Sequence, residues 1–118
     1  MAFVHLHNHT EYSLLDGLTH VKDMVRRAAD LNMPAVAITD HGVMSGVPEL
    51  CDACTAVEKE TGKKVKPIYG CEVYFTTDEE LRKDTKPKLF HLLLLAKTNE
   101  GYHNLVKLVS ESHVDNFY

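Results

Sequence analysis

The spacing of apolar residues changes period along this chain, and the changes mark strands and helices in alternation. Residues 3–7 alternate apolar with polar and read as a strand. Val21, Met24, Val25, Ala28 and Ala29 then fall at i, i+3, i+4, i+7 and i+8, which predicts a helix capped by Thr19 and running to about Asn32. Met33-Pro34 ends it, because the residue before a proline avoids the helical region. Residues 35–39 (AVAIT) form a continuous apolar run, as expected of a strand covered on both faces. A second helix is predicted from near Val47, with Pro48 in its first turn, Leu50, Cys51, Cys54 and Val57 as its inner stripe, and Gly62 as C-cap. Residues 67–75 read as a third strand, and the charged segment 76–88 as an exposed excursion. Residues 89–96 read as a fourth strand, although their leucines also permit a buried helix. Asn99-Glu100-Gly101 opens a last helix with Tyr102, Leu105, Val106 and Val109 on one side. Strands alternating with helices predict an α/β fold with a mainly parallel sheet or barrel, and sites at the carboxyl ends of its strands.

That rule gives the histidines a place. His7 and His9 follow the first strand, Asp40 and His41 follow the second, and Glu72 and His91 lie within the third and fourth. In His5-Leu6-His7-Asn8-His9 the imidazoles alternate, so an extended chain turns them to one face, where His7 and His9 can clamp an ion. Imidazole suits zinc, manganese and iron, and carboxylates complete a mixed site. Asp16 sits in the following loop, beside Gly17. Each residue also has a plain structural reading. His7 and His9 can be surface residues of an edge strand, and Asp40 can cap a turn. Glu72 can pair with Lys66 or another base, and His91 can be a hydrogen-bonded core histidine. A cation is favoured because an unpaired charge in an apolar strand is costly and four strand ends all carry ligand-type residues.

Composition narrows the field further. The chain has 118 residues, enough for one core, and a net charge of −4, so a broad basic face for nucleic acid is not expected. No apolar run is long enough to span a membrane, and the start has no basic segment followed by an apolar one, so neither anchor nor leader is expected. Three cysteines do not make a disulfide framework and fit a reducing, cytoplasmic setting. Cys51 and Cys54 form a lone CxxC, expected to be core packing rather than a metal or redox site, and Cys71 is expected to be a buried thiol. His20, His103 and His113 are expected at the surface or near helix ends. There is no glycine-rich phosphate loop, no Ser-His-Asp order and no RNA-binding signature.

The motifs resemble one family. His5-Leu6-His7-Asn8-His9-Thr10 with Tyr12-Ser13-Leu14-Leu15-Asp16-Gly17 is similar to the opening of the PHP (polymerase and histidinol phosphatase) domain of bacterial DNA polymerase III alpha subunits. Ala37-Ile38-Thr39-Asp40-His41-Gly42 resembles its second motif, and Pro67-Ile68-Tyr69-Gly70-Cys71-Glu72 the segment with its bridging glutamate. His91-Leu92-Leu93-Leu94-Leu95-Ala96-Lys97 and Gly101-Tyr102-His103-Asn104-Leu105 resemble the next stretch of those subunits. The resemblance implies the first part of a distorted (βα)7 TIM-like barrel, truncated here, that binds up to three divalent ions when whole (zinc or manganese, with magnesium or iron as alternatives). It assigns His7, His9, Asp16, His41, Glu72 and His91 as metal ligands, with Glu72 bridging two ions. It implies metal-dependent phosphodiester hydrolysis, linked in polymerases to 3′–5′ exonuclease proofreading, with His7, His9, Glu72 and Asp40 as the catalytic group and Asp40 orienting His41. Implied partners are DNA through the parent polymerase, other polymerase domains and replisome subunits. Further ligand motifs are expected beyond Tyr118, so the isolated chain is expected to self-associate and to be a poor catalyst. A metal-stabilised scaffold without catalysis and a stand-alone phosphatase are the competing readings.

Overall fold

The structure, a computed structural model, describes residues 3–83 and 85–114. Its elements are α1 (Val21–Asp30), β1 (Ala35–Ile38), α2 (Val47–Thr61), β2 (Lys66–Phe75), α3 (Asp78–Leu81), β3 (Phe90–Leu95) and α4 (Asn99–Val114). Among the described residues the sheet has three strands, in the order β1-β2-β3. β1 and β2 run parallel, with Ala35 opposite Lys66 and Ile38 opposite Tyr69.

The core lies between α1, α2 and β1. Val21, Val25, Ala28 and Ala29 of α1 meet Leu50, Ala53, Cys54 and Val57 of α2, with Val36 and Ile38 of β1 closing the cluster. Full burial of a side chain such as Leu50 or Val25 contributes roughly 1.5–3 kcal/mol. α2 has the bounds its punctuation predicts, with Pro48 in the first turn and Gly62 at φ 70° closing the last. α1 starts differently. Its N-cap is His20 without a side-chain cap bond, and Glu11 from the preceding loop accepts the Val21 N–H at 3.4 Å instead of Thr19. Cys54 is buried as expected, but Cys51 is exposed, because a residue three positions before Cys54 falls at the rim of the stripe.

Two strand expectations change. Residues 3–7 run beside β1, but no regular strand forms there. Ala37 N–H donates to His5 O at 3.1 Å and Thr39 N–H to Asn8 O at 3.0 Å, so the first segment spends three residues where β1 spends two. The Asn8 side chain takes up Ala37 O at 2.9 Å in place of a backbone donor. The second change is β3, which pairs antiparallel to β2, with Tyr74 opposite His91 and Glu72 opposite Leu93. Among its described residues the intervening segment holds the four-residue α3, none of whose residues is buried. A parallel return needs a crossover that packs on the sheet, and this charged excursion has no apolar face for that. α4 covers part of β2 through Leu105, and its Tyr102 ring lies 5.6 Å from Tyr69.

Candidate metal centre

Three segments meet at the carboxyl end of β1: the loop of residues 7–17, the Asp40-His41-Gly42 turn, and the middle of β2. Glu72 N–H donates to Asp40 O at 3.0 Å and Gly42 N–H to Glu72 O at 2.8 Å, which continues the β1–β2 pairing past Ile38 to His41. Gly42 has φ 63°, a left-handed conformation that glycine adopts without strain, and the chain turns there directly after His41.

The Glu72 side chain is 2% exposed, and four imidazoles face it. Its Oε2 meets His7 Nε2 and, at 2.8 Å, His9 Nε2. Its Oε1 faces His91 Nδ1 and, at 3.6 Å, His41 Nδ1, yet accepts no hydrogen bond among the described residues. Asp16 Oδ2 joins two of these four rings, 3.0 Å from His9 Nδ1 and 2.7 Å from His41 Nε2. Two overlapping donor sets result, His7–His9–Glu72 and His9–Asp16–His41, each with its ligand atoms within 4.8 Å of one another. All six ligand candidates read from the sequence therefore converge. Lys66 is not a partner of Glu72, and the His91 side chain is 58% exposed rather than part of the core.

Asp40 is 1% exposed and occupied elsewhere. It accepts from the Thr10 backbone N–H, from the Thr10 hydroxyl at 2.8 Å and from the Ser13 hydroxyl at 2.6 Å. Ser13 Oγ in turn accepts the His41 backbone N–H at 3.1 Å, so Asp40 reaches His41 through Ser13 and not through its ring. The turn from Thr10 to Gly17, which presents Asp16, hangs on these bonds. A Cβ on Gly17 would stand 1.8 Å from Thr10 O, so only glycine closes it. Asn8, Thr10 and Ser13 are the residues that sequence reasoning missed. The one available signal was a cluster of Asn, Thr and Ser beside the histidines, which also reads as ordinary loop composition.

The electrostatics reflect these contacts. Burial alone would lower the His9 imidazole, but its bonds to Glu72 and Asp16 outweigh that and raise it. Burial alone would raise the Glu72 carboxyl, yet His9 and His7 hold it below the usual value. His41 and His9 likewise lower Asp16. The donor set fits a divalent cation. Both His9 ring nitrogens face carboxylate oxygens, an arrangement that without a cation requires a charged ring donating twice. A buried carboxylate oxygen without a hydrogen bond is similarly costly until a cation lies beside it. The mix of imidazole and carboxylate donors suits zinc, manganese or iron.

Two expectations arise here. A cation must displace the proton that Glu72 and Asp16 make His9 hold more tightly than an ordinary histidine, so affinity should climb as pH rises through the histidine range, ~5.5–7.5, and level at its upper side. Calorimetric titration with zinc across that range checks this, and a flat profile would argue against histidine ligation. The cysteines should be dispensable. Burial pushes Cys54 and Cys71 up to about 11, which disfavours the thiolate a metal needs, and no cysteine belongs to either donor set. A Cys51→Ser/Cys54→Ser variant is expected to hold as much metal as the parent, measured by elemental analysis; loss of one ion per chain would move the site.

Among the described residues no helix is long and apolar enough to cross a membrane. Residues 5–118 match the PHP domain family. The chain is 44% identical over 117 residues to the DNA polymerase III subunit alpha of Helicobacter pylori, covering 99% of this chain and 9% of that protein. It is 40% identical to the subunit of Deinococcus radiodurans (98% and 9%) and 39% identical to that of Thermus aquaticus (100% and 10%). The chain thus spans about a tenth of the length of these relatives. A solved structure from Bifidobacterium adolescentis, of a protein assigned the role of metal-dependent phosphoesterase, superposes with a TM-score of 0.60 at 25% identity, over 95% of this chain and 34% of that one. The match over nearly the whole length joins the convergent His and carboxylate side chains to one conclusion: the chain belongs to the PHP family.

Proposed function

We propose that this chain is the amino-terminal part of the PHP domain of a bacterial replicative DNA polymerase III alpha subunit, and that the whole domain hydrolyses phosphodiesters in 3′–5′ exonuclease proofreading. The observation that carries the reading is Glu72, a buried carboxylate with an imidazole pair on each oxygen. In this reading His7, His9 and Glu72 would hold one ion and His9, Asp16 and His41 a neighbouring one, with His91 beside Glu72 as a further ligand. Such ions supply Lewis-acid charge toward a phosphoryl oxygen and lower the pKa of water. The chain's own residues do the placing. Glu72 sets the spacing, and Asp40 fixes the turn that carries Asp16 and the backbone of His41. The described elements then form the first part of a distorted (βα)7 barrel, completed by segments beyond this chain. Partners are those of the parent: DNA, the other polymerase domains and replisome subunits, in the cytoplasm.

The test uses metal-loaded protein extended through the rest of the domain, with labelled single-stranded DNA and a small phosphate monoester as substrates. Shortening of the DNA from its 3′ end, lost with Glu72→Ala, is expected. Hydrolysis of the monoester alone would make the protein a phosphatase, and hydrolysis of neither would leave a metal-stabilised scaffold. The 118-residue chain should behave differently. The β3 edge pairs with no further strand among the described residues, and Phe90, Leu92 and Leu95 on it are exposed, which favours edge pairing between copies. It is expected to sediment as oligomers and to act at least about a hundredfold more slowly than the extended protein, the scale of loss for ~1 Å misplacement. A monomeric, fully active short chain would contradict this.

A further inference from the structure

Tyr74 stands two residues after Glu72 in β2, so the two side chains share a face of the strand. Its cross-strand partner is His91, which faces Glu72 Oε1. The Tyr74 ring meets His91 edge-on, with centroids 5.2 Å apart and an interplanar angle of 75°. The rest of the tyrosine is open, at 61% exposure, and its hydroxyl makes no hydrogen bond among the described residues. The nearby pair Phe75 and Phe90 is also exposed, but alternation puts those rings on the opposite face, away from the donor cluster. One aromatic ring therefore stands on the rim of the metal centre, steadied from the side by a candidate ligand and presenting a free face.

A free aromatic face beside a phosphodiester-cleaving centre suits a nucleobase. Base–aromatic stacking tolerates any base, because each has a π-face, and so adds grip without sequence preference. The net charge of −4 does not favour a broad basic face for the strand, and stacking on a single ring needs none. We propose that Tyr74 is the platform on which the terminal base of a single strand stacks, which orients the adjoining phosphodiester toward Glu72 and its histidines. This rests on the phosphodiesterase reading. Tyr74 is a positioning residue: it touches the base and not the reacting phosphate.

The experiment uses the extended, metal-loaded protein and a short single-stranded oligonucleotide with 2-aminopurine at its 3′ end. Stacking on Tyr74 should quench the probe. Tyr74→Ala should weaken binding on the order of tenfold and abolish the quench, while Tyr74→Phe, which keeps the face, should match the parent. In hydrolysis, Tyr74→Ala should raise KM on the same scale for a strand ending in a base and leave a strand ending in an abasic site unchanged, at unaltered metal content. Equal quench and affinity in parent and Tyr74→Ala would overturn the proposal even if the DNA is cleaved. A Tyr74-dependent quench without any cleavage would uphold the platform and sink the phosphodiesterase reading. Equal losses on both strands, or loss of metal, would reduce Tyr74 to a support for His91 and overturn the base-stacking role.

Discussion

Replacing Glu72 with alanine is expected to weaken zinc or manganese binding by well over tenfold while leaving the helical core folded. Glu72 is the carboxylate around which all four imidazoles gather, so its removal takes the acidic ligand from the His7–His9–Glu72 set and frees His91 and His41 on the other side. Loss of a residue that merely steadies a ligand costs ~10–100-fold in affinity, and loss of a shared ligand should cost more. His7→Ala and His9→Ala should each cost at least about tenfold, with His9 the more severe because it belongs to both donor sets. Calorimetric titration of metal-stripped protein measures this, and circular dichroism checks the fold. Unchanged affinity in all three variants would remove the metal-site reading.

The second large effect concerns stability. Asp40→Ala strips three donors of a charged acceptor in a site closed to water, the Thr10 N–H and hydroxyl and the Ser13 hydroxyl. Bonds to charged groups are worth ~1.5–3 kcal/mol each, and donors left without partners add a penalty. A loss of about 3–5 kcal/mol is expected, the scale seen when a buried polar network is broken. For a domain of this size that is a fall in Tm of at least about 10 °C in a thermal melt. Metal affinity should fall in parallel, because Asp16 loses the turn that presents it. A variant with unchanged Tm and reduced turnover alone would make Asp40 a participant in catalysis and not the anchor of this turn.

The parts legible in the sequence are those fixed by short-range rules. Pro48 and Gly62 bound α2 within a residue, and the apolar run of β2 made Glu72 conspicuous. The convergence of His41, Glu72 and His91 could be anticipated because each follows or interrupts a strand, and that of His7, His9 and Asp16 because the alternating imidazoles lead into a short loop beside the same strand ends. What stayed hidden depends on contacts between distant segments. The direction of β3 is set by an excursion that cannot pack on the sheet, and period-2 patterning carries no sign of strand polarity. The Asn8 side chain replaces a backbone donor beside β1, which no local pattern announces. Glu11 displaces Thr19 at the start of α1 for the same reason. Asp40 reads both as an orienting partner of His41 and as the cap of a turn, and only the contacts of its carboxylate with Thr10 and Ser13, distant in sequence, distinguish the two.

X-ray absorption spectroscopy of the zinc-loaded protein reads out whether the histidine and carboxylate cluster holds a divalent cation. Nitrogen and oxygen donors at ~2.0–2.2 Å, with the outer scattering of imidazole rings and no sulfur, are predicted. Imidazole scattering should fall in the His7→Ala and His9→Ala variants. A sulfur shell at ~2.3 Å would place the ion on cysteine, and a spectrum without imidazole scattering would contradict the account outright.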